Sequence, residues 1–187
     1  MDSRGLVQRW LHDCVLALEL CPFAAPVVRD GSLRIAISDA VEPAAQLRDF
    51  LLELDRLQSS SEQEISTTLL AFSRQPQSFD DFLYLVGEAQ ALLEEAGLEG
   101  LVQLAHFHPL YQFANEAVDG LSHYSNRSPL PIIHLIRESM LTRVLAAIPD
   151  PAEIPRANMA RLEAMGRDEV QRRWQALLVE PVSRSGT

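Results

Sequence analysis

Four of the five histidines in this chain, His106, His108, His123 and His134, fall within one stretch that ends at Glu138. Two of its three tyrosines, Tyr111 and Tyr124, lie there too. Imidazole is the side chain whose ordinary pKa sits nearest neutral pH, and it is also a common metal ligand. A cluster of imidazoles therefore points to proton transfer or to metal binding. The middle of the stretch, Pro109 to Pro131, follows neither a 3.6-residue nor a 2-residue period. A long irregular segment in a compact domain is usually either a functional loop or disordered. The aromatic and apolar residues here argue against disorder.

His106 and His108 are two apart, so on a continuing strand both would face the same way. His134 belongs to the next apolar run, which would bring its ring beside them. Three such imidazoles would suit Zn²⁺ or Fe²⁺. The other reading is a set of partly buried histidines bonded to backbone, or a proton-transfer pair without metal. Glu138 shares the parity of His134 if the strand persists, and otherwise opens the following helix. Arg127 lies in Asn126-Arg127-Ser128-Pro129. Its planar fork would clamp a carboxylate or phosphate, with Asn126, Ser128 and Tyr111 adding neutral contacts, or it would staple the loop through carbonyls. Arg137 beside Glu138 reads as a structural ion pair. Cys21, placed at a helix C-terminal end, reads as a packing residue.

The elements that must position these residues follow from periodicity. Residues 4–20 read as an amphipathic helix, with Val7, Trp10, Leu11, Cys14 and Leu18 on one face. Leu33–Ile37, Thr67–Phe72, Leu101–His106 and Ile132–Ile136 read as strands. Helices are expected from Pro43 to about Leu57, from a Ser78 cap to Gly97, and from about Glu138 to Ala147. A further helix should start near Pro155 and end at Gly166, and Asp168 should cap a last one. Strand, helix, strand, helix, strand is the order of an α/β fold. The expectation is one α/β domain over residues 1–180, with a mainly parallel sheet of about four strands, flanking helices and a helical C-terminus. Residues 181–187 read as a flexible tail. In such sheets ligands gather beyond the carboxyl ends of the strands, here Phe72-Ser73-Arg74 and His106-Phe107-His108.

Composition removes several classes of function. All 16 basic residues are arginine. Without lysine there is no Schiff base to pyridoxal phosphate and no Walker lysine. The formal net charge is −10, with no basic block to offset it, which disfavours nucleic acid as a partner. No apolar run approaches the roughly 20 residues needed to cross a bilayer. Charged residues interrupt the first 20 positions, so no secretory signal is read there and a cytoplasmic location is expected. The two cysteines, Cys14 and Cys21, form no C-x-x-C pair.

The chain resembles the DUF1415 family of bacterial proteins of unknown function. The residues that carry the resemblance are R-W-L at Arg9–Leu11, L-C-P-F-A at Leu20–Ala24 and T-T-L-L at Thr67–Leu70. To these are added F-H-P-x-Y-Q-F at Phe107–Phe113 and N-R-S-P-x-P-x-x-H-L-x-R-E at Asn126–Glu138. The family name implies no activity. The residues themselves imply an enzyme acting on a small anionic metabolite, with Arg127 holding the anion and His106, His108 or His134 as acid or base. The alternative is a non-catalytic binding or regulatory module using the same pocket.

Overall fold

The computed structural model describes residues 2–74 and 78–179. Helix α1 (Ser3–Trp10) runs into a π-helical segment (Leu11–Leu16), and a short helix α2 (Ala24–Arg29) precedes strand β1 (Leu33–Ser38). Then come α3 (Pro43–Ser59), β2 (Thr67–Phe72), α4 (Phe79–Glu95), β3 (Val102–Phe107), a 3₁₀ turn (Leu121–Ser125) and β4 (Ile132–Arg137). Helices α5 (Glu138–Ala146), α6 (Glu153–Met165) and α7 (Arg167–Leu178) complete the chain. The expected tail at residues 181–187 lies outside the described residues.

The four strands, the α/β class and the helical C-terminus match the expectation from sequence. The sheet, however, is mixed rather than mainly parallel. Its order is β1-β2-β4-β3, with β1 parallel to β2 and β4 antiparallel to both β2 and β3. β3 had been expected to pair parallel with its neighbour. The reason it does not is the connection. The loop after β3 contains no crossover helix and returns at the same end of the sheet, where Phe107 pairs with Ile132. A strand that re-enters at the end its predecessor left must run antiparallel. β4 therefore slots between β2 and β3, which keep a common direction. The carboxyl ends of β1, β2 and β3 still share one edge.

Alternation assigns each face of the sheet a separate core. On one face α3 and α4 bury Phe50, Leu54, Phe82 and Leu93 against Leu70, Ile133 and Leu135. On the other, α1, the π-helical segment and α7 pack Val7, Trp10, Val15 and Leu177 on Leu69, Ala71 and Ile132. α5 and α2 extend that second layer with Met140, Leu141 and Val27 over Ile136.

Other boundaries have local causes. α6 begins at Glu153, earlier than expected, because Pro155 falls in the first turn, where a missing N–H costs nothing. Asp168 does not cap α7; it sits in its first turn, and Gly166 at φ 77° occupies the cap. Arg137 does not pair with Glu138. Its guanidinium donates to the carbonyls of Leu57, Ser60 and Ile65, closing the C-terminus of α3 and the segment before β2. Replacing Arg137 by Leu strands those acceptors. We expect Arg137→Leu to lower unfolding free energy by roughly 3 kcal/mol, measured by urea denaturation; a loss under roughly 0.5 kcal/mol, the range of an ordinary surface change, would refute the capping role.

Candidate functional site

A β-sheet has two sides, and the register decides which side each imidazole takes. His134 pairs with Ala105, and His106 pairs with Ile133. Directly opposed residues share a face. His134 therefore lies on the face covered by α1 and α2, while His106 lies on the face covered by α4. His108 continues the His106 side: its ring stacks on Phe82 at 5.2 Å and lies 5.1 Å from Phe79. The sheet thus divides the three histidines expected to form one cluster. Among the described residues no three His, Cys, Asp or Glu side chains are grouped to hold a metal ion. The Zn²⁺ or Fe²⁺ expectation required all three rings together, and the register prevents it. Glu138 is further removed. It opens α5 just after Arg137, which pairs with Val102 at the start of β3, about 13 Å along the strand from His106 at about 3.3 Å per residue.

The remaining loop residues hold one another. His108 donates its amide to Asn126 O and accepts at its own carbonyl from Ser128 N, which prolongs the β3–β4 ladder. His108 Nδ1 accepts from Leu110 N at 3.1 Å, fixing the neutral ring. Burial, and secondarily the nearby His106, pulls its pKa down to about 4. Burial also lowers the pKa of His106 and raises that of Tyr111, whose rings lie 5.5 Å apart. Ser128 Oγ is spent on Leu130 O. Arg127 donates to Tyr111 O, and its guanidinium carbon lies 4.3 Å from the centre of the Tyr124 ring. Its own carbonyl accepts from the Trp10 indole at 2.9 Å. These are the contacts of a loop staple. His123, fully buried, does the same work deeper in: Nδ1 accepts from Phe113 N, and Nε2 donates to Ala117 O at 2.7 Å. Gly120 is required beside it, since a Cβ there would meet Ala117 O at 2.9 Å.

His134 and Asn126 come together elsewhere. Both line a cavity of about 290 Å³ between the sheet and the N-terminal layer. Its walls are mainly apolar: Trp10 from the end of α1, Leu11 and Val15 from the widened π-helical turn, Phe107 and Ala105 from β3, and Met140 from α5. π-helical turns are rare and often mark functional sites. Trp10 and Phe107 meet edge to face at 5.2 Å. Cys21 also lines the cavity. It precedes α2 rather than closing the first helix, a helix the sequence reading did not contain. The amides of Phe23 and Ala24 bond its thiol, but burial dominates and raises the pKa, so the thiol stays protonated at neutral pH. Beyond Phe23, Val27 and Met140 lies a more open cleft of about 540 Å³ that shares those three residues.

The polar floor of the cavity is a pair. Thr67 Oγ1 lies 2.6 Å from His134 Nε2 and donates its single proton to Leu135 O at 2.7 Å. The hydroxyl can then only accept from the ring, so Nε2 carries the proton and Nδ1 is bare. Among the described residues no donor bonds Nδ1, yet it is absent from the fully enclosed polar atoms that lack partners. It therefore keeps some accessible surface, and His134 is one of the residues that line the cavity. The cavity dehydrates the ring although some of its surface stays open, and burial brings the His134 pKa down to about 4. The ring is a neutral hydrogen-bond acceptor at physiological pH.

A family model described as "Protein of unknown function (DUF1415)" matches residues 3–172. The chain belongs to this family. The motifs that signal membership now have places: Arg9 binds the carbonyls of Ala176, Leu177 and Val179 at the end of α7, Trp10 secures Arg127, and the T-T-L-L and H-L segments supply Thr67 and His134. No curated protein and no solved structure matches the chain. Among the described residues no helix is long and apolar enough to cross a membrane.

The buried histidines set a pH dependence. His134 is lowered from about 6.5 to about 4 on folding, so between those values the unfolded chain binds the extra proton and acid favours unfolding. This contribution is complete above pH 6.5, is lost as pH falls toward 4, and is flat below. At 1.36 kcal/mol per pKa unit it is on the order of 3 kcal/mol for His134. Urea titrations should therefore show stability falling from pH 7 to 4.5 with a shallower slope in His134→Leu; parallel slopes would show that His134 is not held neutral.

Proposed function

We propose that this DUF1415 protein binds a small organic molecule in the cavity floored by His134 and Thr67. The observation that supports this most is a neutral, dehydrated imidazole, with Nε2 bound to Thr67 and no donor on Nδ1, on the lining of an apolar space of about 290 Å³. Ligand sites are typically mostly apolar concavities with a few oriented polar groups, and this one is at the small end of their range. The reading moves the site from the loop surface to the opposite face of the sheet. Arg127, expected to clamp an anion, bonds Tyr111 O through Nε, lies over the Tyr124 ring and does not line this cavity. The setting we propose is the bacterial cytoplasm, in line with the family resemblance and with two unpaired thiols.

A second reading, an enzyme, draws on Cys21 and His134 lining one cavity beside a π-helical turn. His134 would then take a proton from the substrate through Nδ1. Its low pKa limits it as a base near neutral pH, so simple binding stands as the first reading.

Ala105 opposes His134 across the β3–β4 ladder and lines the cavity, so Ala105→Phe should fill it. A library of small organic metabolites, screened by thermal shift, should contain compounds that raise Tm of the natural protein. The same compounds should leave folded Ala105→Phe unmoved. Turnover abolished by His134→Leu would establish the enzyme, and binding without turnover the module. Hits that stabilise Ala105→Phe equally, but are lost in Arg127→Ala, would return the site to the loop and end this proposal.

A further inference from the structure

Resting on the cavity reading, the chemistry of the lining narrows the ligand class. None of the residues lining the cavity is Asp, Glu or Arg. An anion seated there would lose its hydration and gain no counter-ion, a cost of several kcal/mol. The ligand must therefore be uncharged where it is enclosed.

The floor fixes the direction of its hydrogen bond. Thr67 gives its proton to Leu135 O and receives that of His134 Nε2. What remains at the ring is a lone pair on Nδ1. A ligand carbonyl or ether oxygen would set lone pair against lone pair, while a hydroxyl or ring N–H would complete the bond. Asn126 fixes no direction of its own, because Ser122 O at 2.8 Å and its Oδ1 at 3.0 Å share the single proton of Ser125 Oγ. The walls fix the shape. Trp10 and Phe107 are joined edge to face, and Phe107 lies 6.1 Å from the His134 ring at 39°. Flat rings pack well against such faces, in offset or edge contacts.

We infer that the ligand is a flat, uncharged, mostly apolar molecule whose principal polar group is a hydrogen-bond donor, of phenol, enol or azole type, seated against His134 Nδ1. The class differs from the small anion that the loop residues suggested. It also assigns His134 a specific task, recognition of a proton the ligand keeps.

Three probes of similar size separate the possibilities: 4-methylphenol, 1,4-dimethylbenzene and 4-methylbenzoate, titrated calorimetrically into the full chain at pH 7. A buried acceptor left unpaired costs about 1–3 kcal/mol. We therefore expect 4-methylphenol to bind about tenfold or more tighter than 1,4-dimethylbenzene, with 4-methylbenzoate weakest. In His134→Leu the phenol preference should vanish while 1,4-dimethylbenzene still binds. Equal affinity of the phenol and the hydrocarbon would overturn the donor class and leave the cavity standing. Tightest binding by the benzoate would overturn the uncharged class. Binding of none of the three would remove the cavity reading and this inference together. The probe comparison in the natural protein decides the matter even where His134→Leu fails to fold.

Discussion

The pairing of Ala105 with His134 is the constraint on which the functional geometry rests. Strand residues alternate between faces, so a register shifted by one residue would send His134 to the α4 side and Ile133 to the cavity. The hydrophobic pattern forbids that shift. Ile133 and Leu135 are fully buried under α3 and α4, and Ile132 is fully buried under α1. A slip would expose none of these economically and would drive an imidazole into the Phe50–Phe82 core. The strand that carries His134 is thus locked by its apolar neighbours. The histidine takes a position where its own face leaves room.

That room comes from the first thirty residues. The π-helical turn at Leu11–Leu16 and the short α2 form one wall and the roof, with Leu11, Val15 and Phe23 reaching the space. The layer is pinned at two points far apart in sequence. Arg9 holds the end of α7, and Asn158 in α6 donates to Leu20 O at 2.8 Å, just before Cys21. Trp10 joins the same layer to the long loop through Arg127. The long loop is braced from within: His108, His123 and Ser128 bond its own backbone through their side chains, and Arg127 adds one bond from Nε to Tyr111 O.

Much of this was legible in the sequence, and the failures share one cause. Alternation and capping gave β2 to the residue and the Ser78 start of α4, because those signals are local. His106 and His108 were correctly set on one face, since parity within a strand needs nothing beyond the strand. His134 was wrongly joined to them because parity across strands depends on register, which no single segment encodes. The direction of β4 failed likewise: it follows from where the loop returns, not from what β4 contains. The helix α2 went unread because its six residues are too few to show a helical period. Cys21 was then given the wrong end of a helix. The widening of the first helix into a π turn leaves no mark in an apolar period that fits both forms. The family resemblance was recovered from motifs alone, and the chain's membership confirms it, yet the motifs are mostly explained by packing and loop closure rather than by chemistry.

The central claim is a neutral His134 whose Nε2 gives its proton to Thr67 and whose Nδ1 stands open to the cavity. Nitrogen-15 chemical shifts of the histidine side chains report each ring nitrogen's protonation directly. At pH 7 the account predicts, for His134, a protonated Nε2 coupled to the Thr67 hydroxyl and a bare Nδ1, with no sign of imidazolium. A protonated Nδ1, or a ring that titrates near its ordinary pKa, would contradict it.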